Sequence, residues 1–328
     1  MKFLMAAFAT LFMLTATQTS KAQNLEIVTS STAGGSFDIN ARLVARHIGK
    51  HLPGNRTVIV KNMPGAGGLV ALNWFANVAD QNNTLATISI NSNAILNGIL
   101  KTDNVKYDIS KLQFLFSNED GENGAQILWA NSRRGLRSID QMLVDNIYVI
   151  GNQNSGEVNI QELLLKDILG VRSKYIVGYS NVVQAFLVNE IDARVATLNS
   201  AKVNFPSWLE PNNEIRPILV LRRTRHPELQ HVPAIQEFVK DEFHSQVLDF
   251  YYKMTKLARV FIAPPGMNKQ NVDAINQAAL RLERDQEFLA EAKKLNLFVD
   301  FIHKQEIDDI MRSLINADSR VLDYISKR

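Results

Sequence analysis

The sequence of 328 residues contains no cysteine. A fold stapled by disulfide bonds is therefore excluded, and so is a lipoprotein anchor, which is attached to a cysteine. A chain of this length without staples must be stabilised by its apolar core, and the length suits two domains.

The sequence also lacks an excess of either basic or acidic side chains. Without residues 1–22, the chain has 306 residues with 34 basic and 33 acidic side chains, a net charge of about +1. Nucleic-acid binding needs a concentrated basic face, so we expect no nucleic-acid partner. The one basic cluster, Arg222, Arg223, Arg225 and His226, is too short to change this conclusion, and we interpret it as a solvated loop.

Long apolar runs are missing beyond the first residues of the chain. Residues 1–22 have a basic start at Lys2, an apolar run and small residues at Ser20 and Ala22, which is the pattern of a signal peptide. The run is shorter than the ~20 residues that a spanning helix needs. We therefore expect export to the periplasm and cleavage after Ala22.

Sequence motifs of catalysis are missing as well. No glycine-rich loop has the Walker or the Gly-x-Gly-x-x-Gly spacing, and no Gly-x-Ser-x-Gly nucleophile signature occurs. His47 and His51 have a spacing that can hold zinc, but no glutamate follows His47 as in a metalloprotease, and we interpret the pair as an exposed helix face. We expect no catalytic residue, no metal and no cofactor.

What the chain does contain is a repeated unit of strand, small-residue loop and helix. Its first copy is the strand Leu25–Thr29, the loop around Gly34 and Gly35, and a helix starting near Phe37. A glycine pair lets the backbone approach a ligand, and the first N–H groups of a helix are free donors at the positive end of its dipole. This pattern predicts a site for a small anion.

Further copies follow along the chain. Arg56–Lys61 leads to a glycine-rich turn at Gly65–Gly68, and Leu85–Ile90 leads to Asn91 and Ser92. In the second half, similar loops follow predicted strands near Ser155, Tyr179 and Asn199. Ligands of open α/β sheets bind beyond the carboxyl ends of strands, so six such loops are expected to face one cleft. The alternation predicts an α/β fold with mixed, mostly parallel sheets flanked by helices.

The residues of these loops resemble a known family. Ala33-Gly34-Gly35-Ser36-Phe37-Asp38 and Asn62-Met63-Pro64-Gly65-Ala66-Gly67-Gly68 are similar to the signatures of the substrate-binding proteins of tripartite tricarboxylate transporters, the TctC or Bug family. Ser155-Gly156, Val177-Gly178-Tyr179 and Ala263-Pro264-Pro265-Gly266 are further similar blocks. The resemblance extends over nearly the whole chain after residue 22.

The resemblance implies a two-lobed receptor of the type II periplasmic-binding-protein architecture. It implies the following lobe boundaries: 1–22 signal peptide, 23–125 first lobe, 126–245 second lobe, and 246–328 a return to the first lobe. The implied ligand is a small organic carboxylate, and the implied partners are the permease subunits of the transporter, with the receptor itself monomeric. The alternatives are an enzyme acting on a carboxylate or phosphate compound, and a sensor subunit for a membrane kinase.

The expected ligand contacts combine the resemblance with the loop positions. They are Ala33, Gly34, Gly35, Ser36, Asp38, Gly65, Ala66, Gly67, Asn91, Ser92, Ser155, Gly156, Tyr179 and Asn199. Two roles remain open for Asp38, which can contact the ligand or stabilise the helix start. Ser36 can likewise act as an N-cap, Tyr179 can pack rather than stack on a ligand, and the Gly65–Gly68 turn can form without a ligand.

Overall fold

The computed structural model describes residues 24–89, 92–121, 125–144, 146–151, 160–176, 179 and 181–326, without the side chains of residues 93 and 134. The expected signal peptide and the candidate residues Asn91, Ser155 and Gly156 lie outside the described residues. Among the residues that are described, no helix has both the length and the apolar character that crossing a membrane requires.

The described strands form two sheets. In chain order the strands are β1 (Leu25–Thr29), β2 (Val58–Asn62), β3 (Thr84–Ile88), β4 (Gln113–Ser117), β5 (Gln126–Asn131), β6 (Tyr148–Gly151), β7 (Ser173–Ile176), β8 (Ala193–Thr197), β9 (Ile215–Val220), β10 (Val260–Ala263) and β11 (Ile302–His303). The first sheet has the order β11-β4-β10-β3-β1-β2, and the second has the order β7-β6-β8-β5-β9. We call the two sheets with their helices the first and the second lobe.

Both sheets are mixed, as the sequence predicts, but they are not mostly parallel, because four of the nine described strand pairings are parallel. In the first sheet, β1 pairs in parallel with β2 and β3, whereas β10 is antiparallel to β3 and β4. In the second sheet, β6 pairs in parallel with β7 and β8, whereas β5 is antiparallel to β8 and β9. The predicted α/β, two-lobed architecture is confirmed.

Helices cover both sheets. In chain order the α-helices are α1 (Ser36–Ile48), α2 (Leu69–Asn77), α3 (Asn93–Leu100), α4 (Ile139–Met142), α5 (Ile160–Leu163), α6 (Val182–Leu187), α7 (Leu198–Asn204), α8 (Glu242–Lys256), α9 (Lys269–Leu282), α10 (Gln286–Lys294), α11 (Lys304–Ile315) and α12 (Ser319–Ser326). Helix α1 illustrates why they form, because its spacing of apolar residues buries Leu43, Val44 and Ile48 on one face.

The structure differs from the sequence pattern at two places in the last part of the chain. Between Leu221 and Tyr252 the alternation of strands and helices weakens into a polar stretch, but the structure has α8 there, which buries Val247, Phe250 and Met254 and is capped by the Asp241 side chain. The predicted boundary at residue 245 falls inside this helix. The apolar spacing between Ile307 and Ile325 predicts one helix, but the structure has two, because α11 ends at Ile315 and the Asp318 carboxylate accepts the Arg320 N–H at 2.9 Å.

Two segments connect the lobes and lie side by side. The chain leaves the first lobe between β4 and β5 and returns to it through α8 and β10. Asp120 and Leu257 form an antiparallel bridge between these segments. A Cβ atom added to Gly121 would lie 1.9 Å from the Thr255 carbonyl oxygen, so only glycine allows this contact. We call this pair of segments the hinge.

Candidate functional site

Sheet topology brings the predicted loops of the first lobe together. Strand β1 lies between β2 and β3, with Thr29 opposite both Asn62 and Thr87, so the loops that follow all leave the same edge of the sheet. Gly68 has a φ of 94°, and a Cβ atom there would lie 2.8 Å from Ile88 Cδ1 and 3.4 Å from Ser30 Cβ. Glycine therefore lets the second loop pack against the first.

The glycine amides of the first loop are used within the loop itself. The Gly34 N–H donates to Asp38 Oδ2 at 2.8 Å, and the Gly35 N–H donates to the Thr32 carbonyl oxygen at 3.0 Å. The predicted role of these two amides as ligand donors is therefore not supported. The N–H groups without a partner begin one residue later, in the first turn of α1.

Asp38 has a local role as well. Its side chain is 2% exposed and accepts hydrogen bonds from the Gly34 N–H, from Arg42 Nε at 3.0 Å and from Asn62 Nδ2 at 2.8 Å. Burial alone would raise the pKa of Asp38, but the hydrogen bonds from Arg42, Gly34 and Asn62 outweigh it and lower the pKa. Of the two roles left open for Asp38, these contacts favour stabilisation of the loop and helix start.

The first turn of α1 presents backbone donors that lack partners. Gly35 is the N-cap and offers no side chain, and within the described residues the N–H groups of Ser36, Phe37 and Asp38 have no hydrogen-bond acceptor. Ser36 and Phe37 line a cavity of about 500 Å³ between the two lobes, which we call the interlobe cleft. The positive end of the α1 dipole therefore points toward an open space that can hold an anion.

The second lobe contributes hydroxyl and amide groups to the same cleft. Thr197, Asn199 and Ser200 line it at the end of β8 and the start of α7. Thr197 Oγ1 is the N-cap of α7 and accepts the Ser200 N–H at 3.0 Å. Of the predicted site residues, the structure thus brings Ser36 and Asn199 together across the cleft.

An ion pair in the cleft was not predicted. Arg259 pairs with Glu119, and their side chains are 12% and 16% exposed. Arg259 Nη1 also donates to the Ser36 carbonyl oxygen at 3.0 Å, and its guanidinium lies 4.6 Å from the centroid of the Phe37 ring. A positive charge is therefore fixed beside the first turn of α1. Arg259 meets Glu119 because the two segments of the hinge lie side by side. The spacing of the two residues in the sequence carries no signal of that contact.

Apolar side chains also line the cleft. They are Ile39 of α1, Val203 of α7 and, after α10, Leu295, Leu297 and Phe298, of which Phe298 is 40% exposed. The lining of the cleft therefore combines backbone donors and an ion pair with exposed hydrocarbon.

Other predicted contacts lie elsewhere. Gly65, Ala66 and Gly67 are exposed in a turn closed by the Gly68 N–H and the Gly65 carbonyl oxygen at 3.0 Å, and they are not among the described residues lining the interlobe cleft. Ser92 caps α3, with its Oγ accepting the Ile95 N–H at 3.4 Å.

Tyr179 is partly buried and packs against the second-lobe core, and it is not among the described residues that line the interlobe cleft. Burial raises the pKa of Tyr179, and the neighbouring Glu190 carboxylate adds to this effect. Of the two roles left open for Tyr179, these contacts favour packing over stacking on a ligand.

His47 and His51 are not a free helix face. His47 Nε2 lies 2.6 Å from Glu291 Oε2, and His51 Nε2 lies 2.8 Å from Asp285 Oδ2, so both face α10. Ligand atoms of His47, Asp285 and Glu287 lie within 4.8 Å of one another, a spacing compatible with a metal ion. The ammonium of Lys50 already lies 2.8 Å from Asp285 and 2.5 Å from Glu287, so this cluster is an ion-pair network between two helices.

The sequence matches no family model, and it matches no curated protein. Solved structures do match. A TctC solute-binding protein from Polaromonas is 16% identical, with a TM-score of 0.67 over 94% of this chain and 100% of that one. MatC from Rhodopseudomonas palustris with bound malate is 17% identical, with a TM-score of 0.65 over 92% and 98%.

A second R. palustris protein, with adipate, is 18% identical, with a TM-score of 0.64 over 92% of this chain and 97% of that one. At these identities the likeness establishes the fold. The predicted resemblance to TctC proteins is confirmed at that level, since the first neighbours with matching folds are solute-binding proteins of that kind.

Proposed function

We propose that the protein is a periplasmic receptor that captures a small organic carboxylate in the interlobe cleft. On this proposal it is exported by its signal peptide, acts as a monomer, performs no chemistry on its ligand, and delivers it to the permease subunits of a tripartite tricarboxylate-type transporter. The neighbouring folds that hold malate and adipate support the ligand class.

The observation that carries the proposal is the start of α1. The Ser36 and Phe37 N–H groups have no acceptor within the described residues and line the cleft, where the helix dipole favours a negative charge. The Arg259 guanidinium, which is paired with Glu119, lies beside them and donates to the Ser36 carbonyl oxygen. A carboxylate accepts hydrogen bonds from such donors without any rearrangement of α1.

The second lobe completes the site by closing over the ligand. Thr197, Asn199 and Ser200 face the α1 start across the cleft, and their hydroxyl and amide groups can bond the remaining polar atoms of the ligand. The hinge permits the lobes to approach each other, as in other clamshell receptors.

A proline substitution tests the role of the α1 donors. Ser36 is the first residue of α1, the one helical position where proline is tolerated, and Gly35 has the extended conformation (φ −69°, ψ 160°) that suits a residue before proline. We expect Ser36→Pro to remove one N–H donor, to keep the helix, and to weaken binding of malate or adipate by about tenfold. Isothermal titration calorimetry measures the affinity, after a thermal-shift screen of organic acids selects the best ligand.

Lys269→Pro is the matched control. Lys269 is the first residue of α9, follows an extended N-cap at Asn268 (φ −68°, ψ 152°), and has an 86% exposed side chain away from the cleft. This variant should bind as the wild type does. Equal affinity of Ser36→Pro and wild type would contradict the proposed site, and failure of every organic acid to bind would contradict the proposed ligand class.

A further inference from the structure

A second cavity, next to the interlobe cleft at the hinge, is lined by cations. Its volume is about 210 Å³, and its wall includes Arg222, Arg223, Lys253 and Lys256, with no carboxylate among the described lining residues. The first two belong to the basic cluster that the sequence led us to interpret as a solvated loop. The structure instead places them over a concave surface.

The cavity touches both segments of the hinge. Arg222 and Arg223 follow β9, Lys253 and Lys256 belong to the last turns of α8, and Gly121 lies on the segment that enters the second lobe. Gly121, Gln126 and Thr255 line both this cavity and the interlobe cleft, so they form the wall between the two. The two spaces are therefore neighbours.

The carboxylates that balance these cations lie outside the cavity wall. Asp249 pairs with Arg223 and lies 2.6 Å from Lys253 Nζ, while Glu306 lies 2.6 Å from Lys256 Nζ. Burial lowers the pKa of Lys253, and the charge of Arg223 lowers it further. Because these carboxylates are not among the described residues of the wall, the surface that faces the cavity carries cationic groups, which would attract an anion.

Tyr252 adds a neutral donor. Its hydroxyl oxygen is buried and has no hydrogen-bond partner within the described residues, and the Arg223 guanidinium lies 5.2 Å from its ring centroid. Burial raises the pKa of Tyr252, so the hydroxyl keeps its proton at neutral pH. A buried O–H without an acceptor is costly, and a bound oxyanion would supply one.

We propose that this cavity binds a small, multiply charged oxyanion, for which inorganic phosphate is the representative. Two neighbouring guanidinium groups can bond several oxygens of such an anion, whereas the small volume excludes a bulky ligand. Because the lining residues come from both segments of the hinge, the bound anion connects them. The proposal does not depend on the carboxylate receptor function.

Calorimetric titration of the exported protein with inorganic phosphate, at constant ionic strength set with sodium chloride, tests the site. We expect saturable binding of one phosphate per chain, weakened about tenfold or more by Arg223→Gln and by Arg222→Gln. Tyr252→Phe removes only the hydroxyl and should weaken binding by a smaller factor. Circular dichroism shows whether each variant folds. If Arg222→Gln does not fold, Arg223→Gln still tests the proposal, because the Arg223 side chain is half-exposed.

Two control variants locate the anion. Arg284→Gln removes the same charge from an exposed position distant from the cavity lining and should leave phosphate affinity unchanged. Asn199→Leu alters the interlobe cleft only and should also leave it unchanged. The proposal is overturned if phosphate does not bind the wild type, if Arg284→Gln weakens binding as much as Arg223→Gln, or if Asn199→Leu abolishes it.

Discussion

At the scale of single residues, the first loop separates positioning from binding. Asp38 fixes the loop through Gly34, Arg42 and Asn62, and the donors that we propose for a ligand are the next amides, at Ser36 and Phe37. A glycine motif alone predicts that a loop approaches a ligand. Which amide is left without a partner depends on the direction in which the Asp38 carboxylate points, and the folded backbone sets that direction.

Asp38→Asn tests the positioning role. The change leaves Arg42 without its carboxylate partner, and we expect it to lower the free energy of unfolding by about 2 kcal/mol. Denaturant unfolding measures this loss, with Asp103→Asn, an exposed position, as the control. A direct ligand contact would instead give an unchanged stability with a lost affinity for the carboxylate.

At the scale of elements, the contact of α1 with α10 combines capping and charge. Asp285 is the N-cap of α10, where it accepts the Glu287 N–H at 3.0 Å, and it also bonds Lys50 and His51 of the α1 end. Burial would raise the pKa of Asp285, but the hydrogen bonds from Lys50, His51 and the α10 backbone outweigh it and lower the pKa far below its usual range. The carboxylate therefore stabilises the fold when ionised.

Two substitutions separate these contributions. Asn remains a good N-cap, so Asp285→Asn removes only the charge, whereas Asp285→Ala removes both and should cost about 1 kcal/mol more. Glu287→Ala, with a 78% exposed side chain, should change stability by no more than about 0.5 kcal/mol. Chemical unfolding of the three variants gives the order, and equal losses for Asn and Ala would contradict a capping role.

The same carboxylate predicts a pH dependence. Because the folded pKa of Asp285 is depressed, its contribution is complete above the unfolded value of about 4 and is lost as the pH falls through the folded value. The stability difference between wild type and Asp285→Asn should therefore shrink below about pH 4. Unfolding curves at pH 6 and at successively lower pH measure it, and a constant difference would argue against an ionised role.

At the scale of the whole molecule, the hinge controls how the two lobes meet. Gly121→Ala would place a methyl group against the Thr255 backbone, and we expect a loss of about 1–3 kcal/mol in stability together with weaker carboxylate binding. Gly266→Ala is the control, because its added carbon meets only the end of the flexible Gln81 side chain. Melting temperature and calorimetric affinity check both, and similar behaviour of the two variants would show that the hinge contact is not critical.

The sequence was informative where local patterns decide the structure. The strand Leu25–Thr29 has the predicted bounds, and α1 starts one residue before Phe37. Asp241 as a cap and the helical spacing of Val247, Phe250 and Met254 are a local signal for α8. The pairing of Arg259 with Glu119 joins residues 140 positions apart, and no local pattern encodes such a contact.

The central position of β10 has a consequence for the order of folding. It fills the gap between β3 and β4, yet it begins at Val260, when about four fifths of the chain has been synthesised. Until then the two flanking strands of the first lobe have unpaired edges, whereas the strands of the second lobe are complete by Val220. Nascent chains that end before Val260 should therefore protect the second lobe from proteolysis and leave the first lobe unprotected, so the two-lobed form can be completed only after β10 has been synthesised.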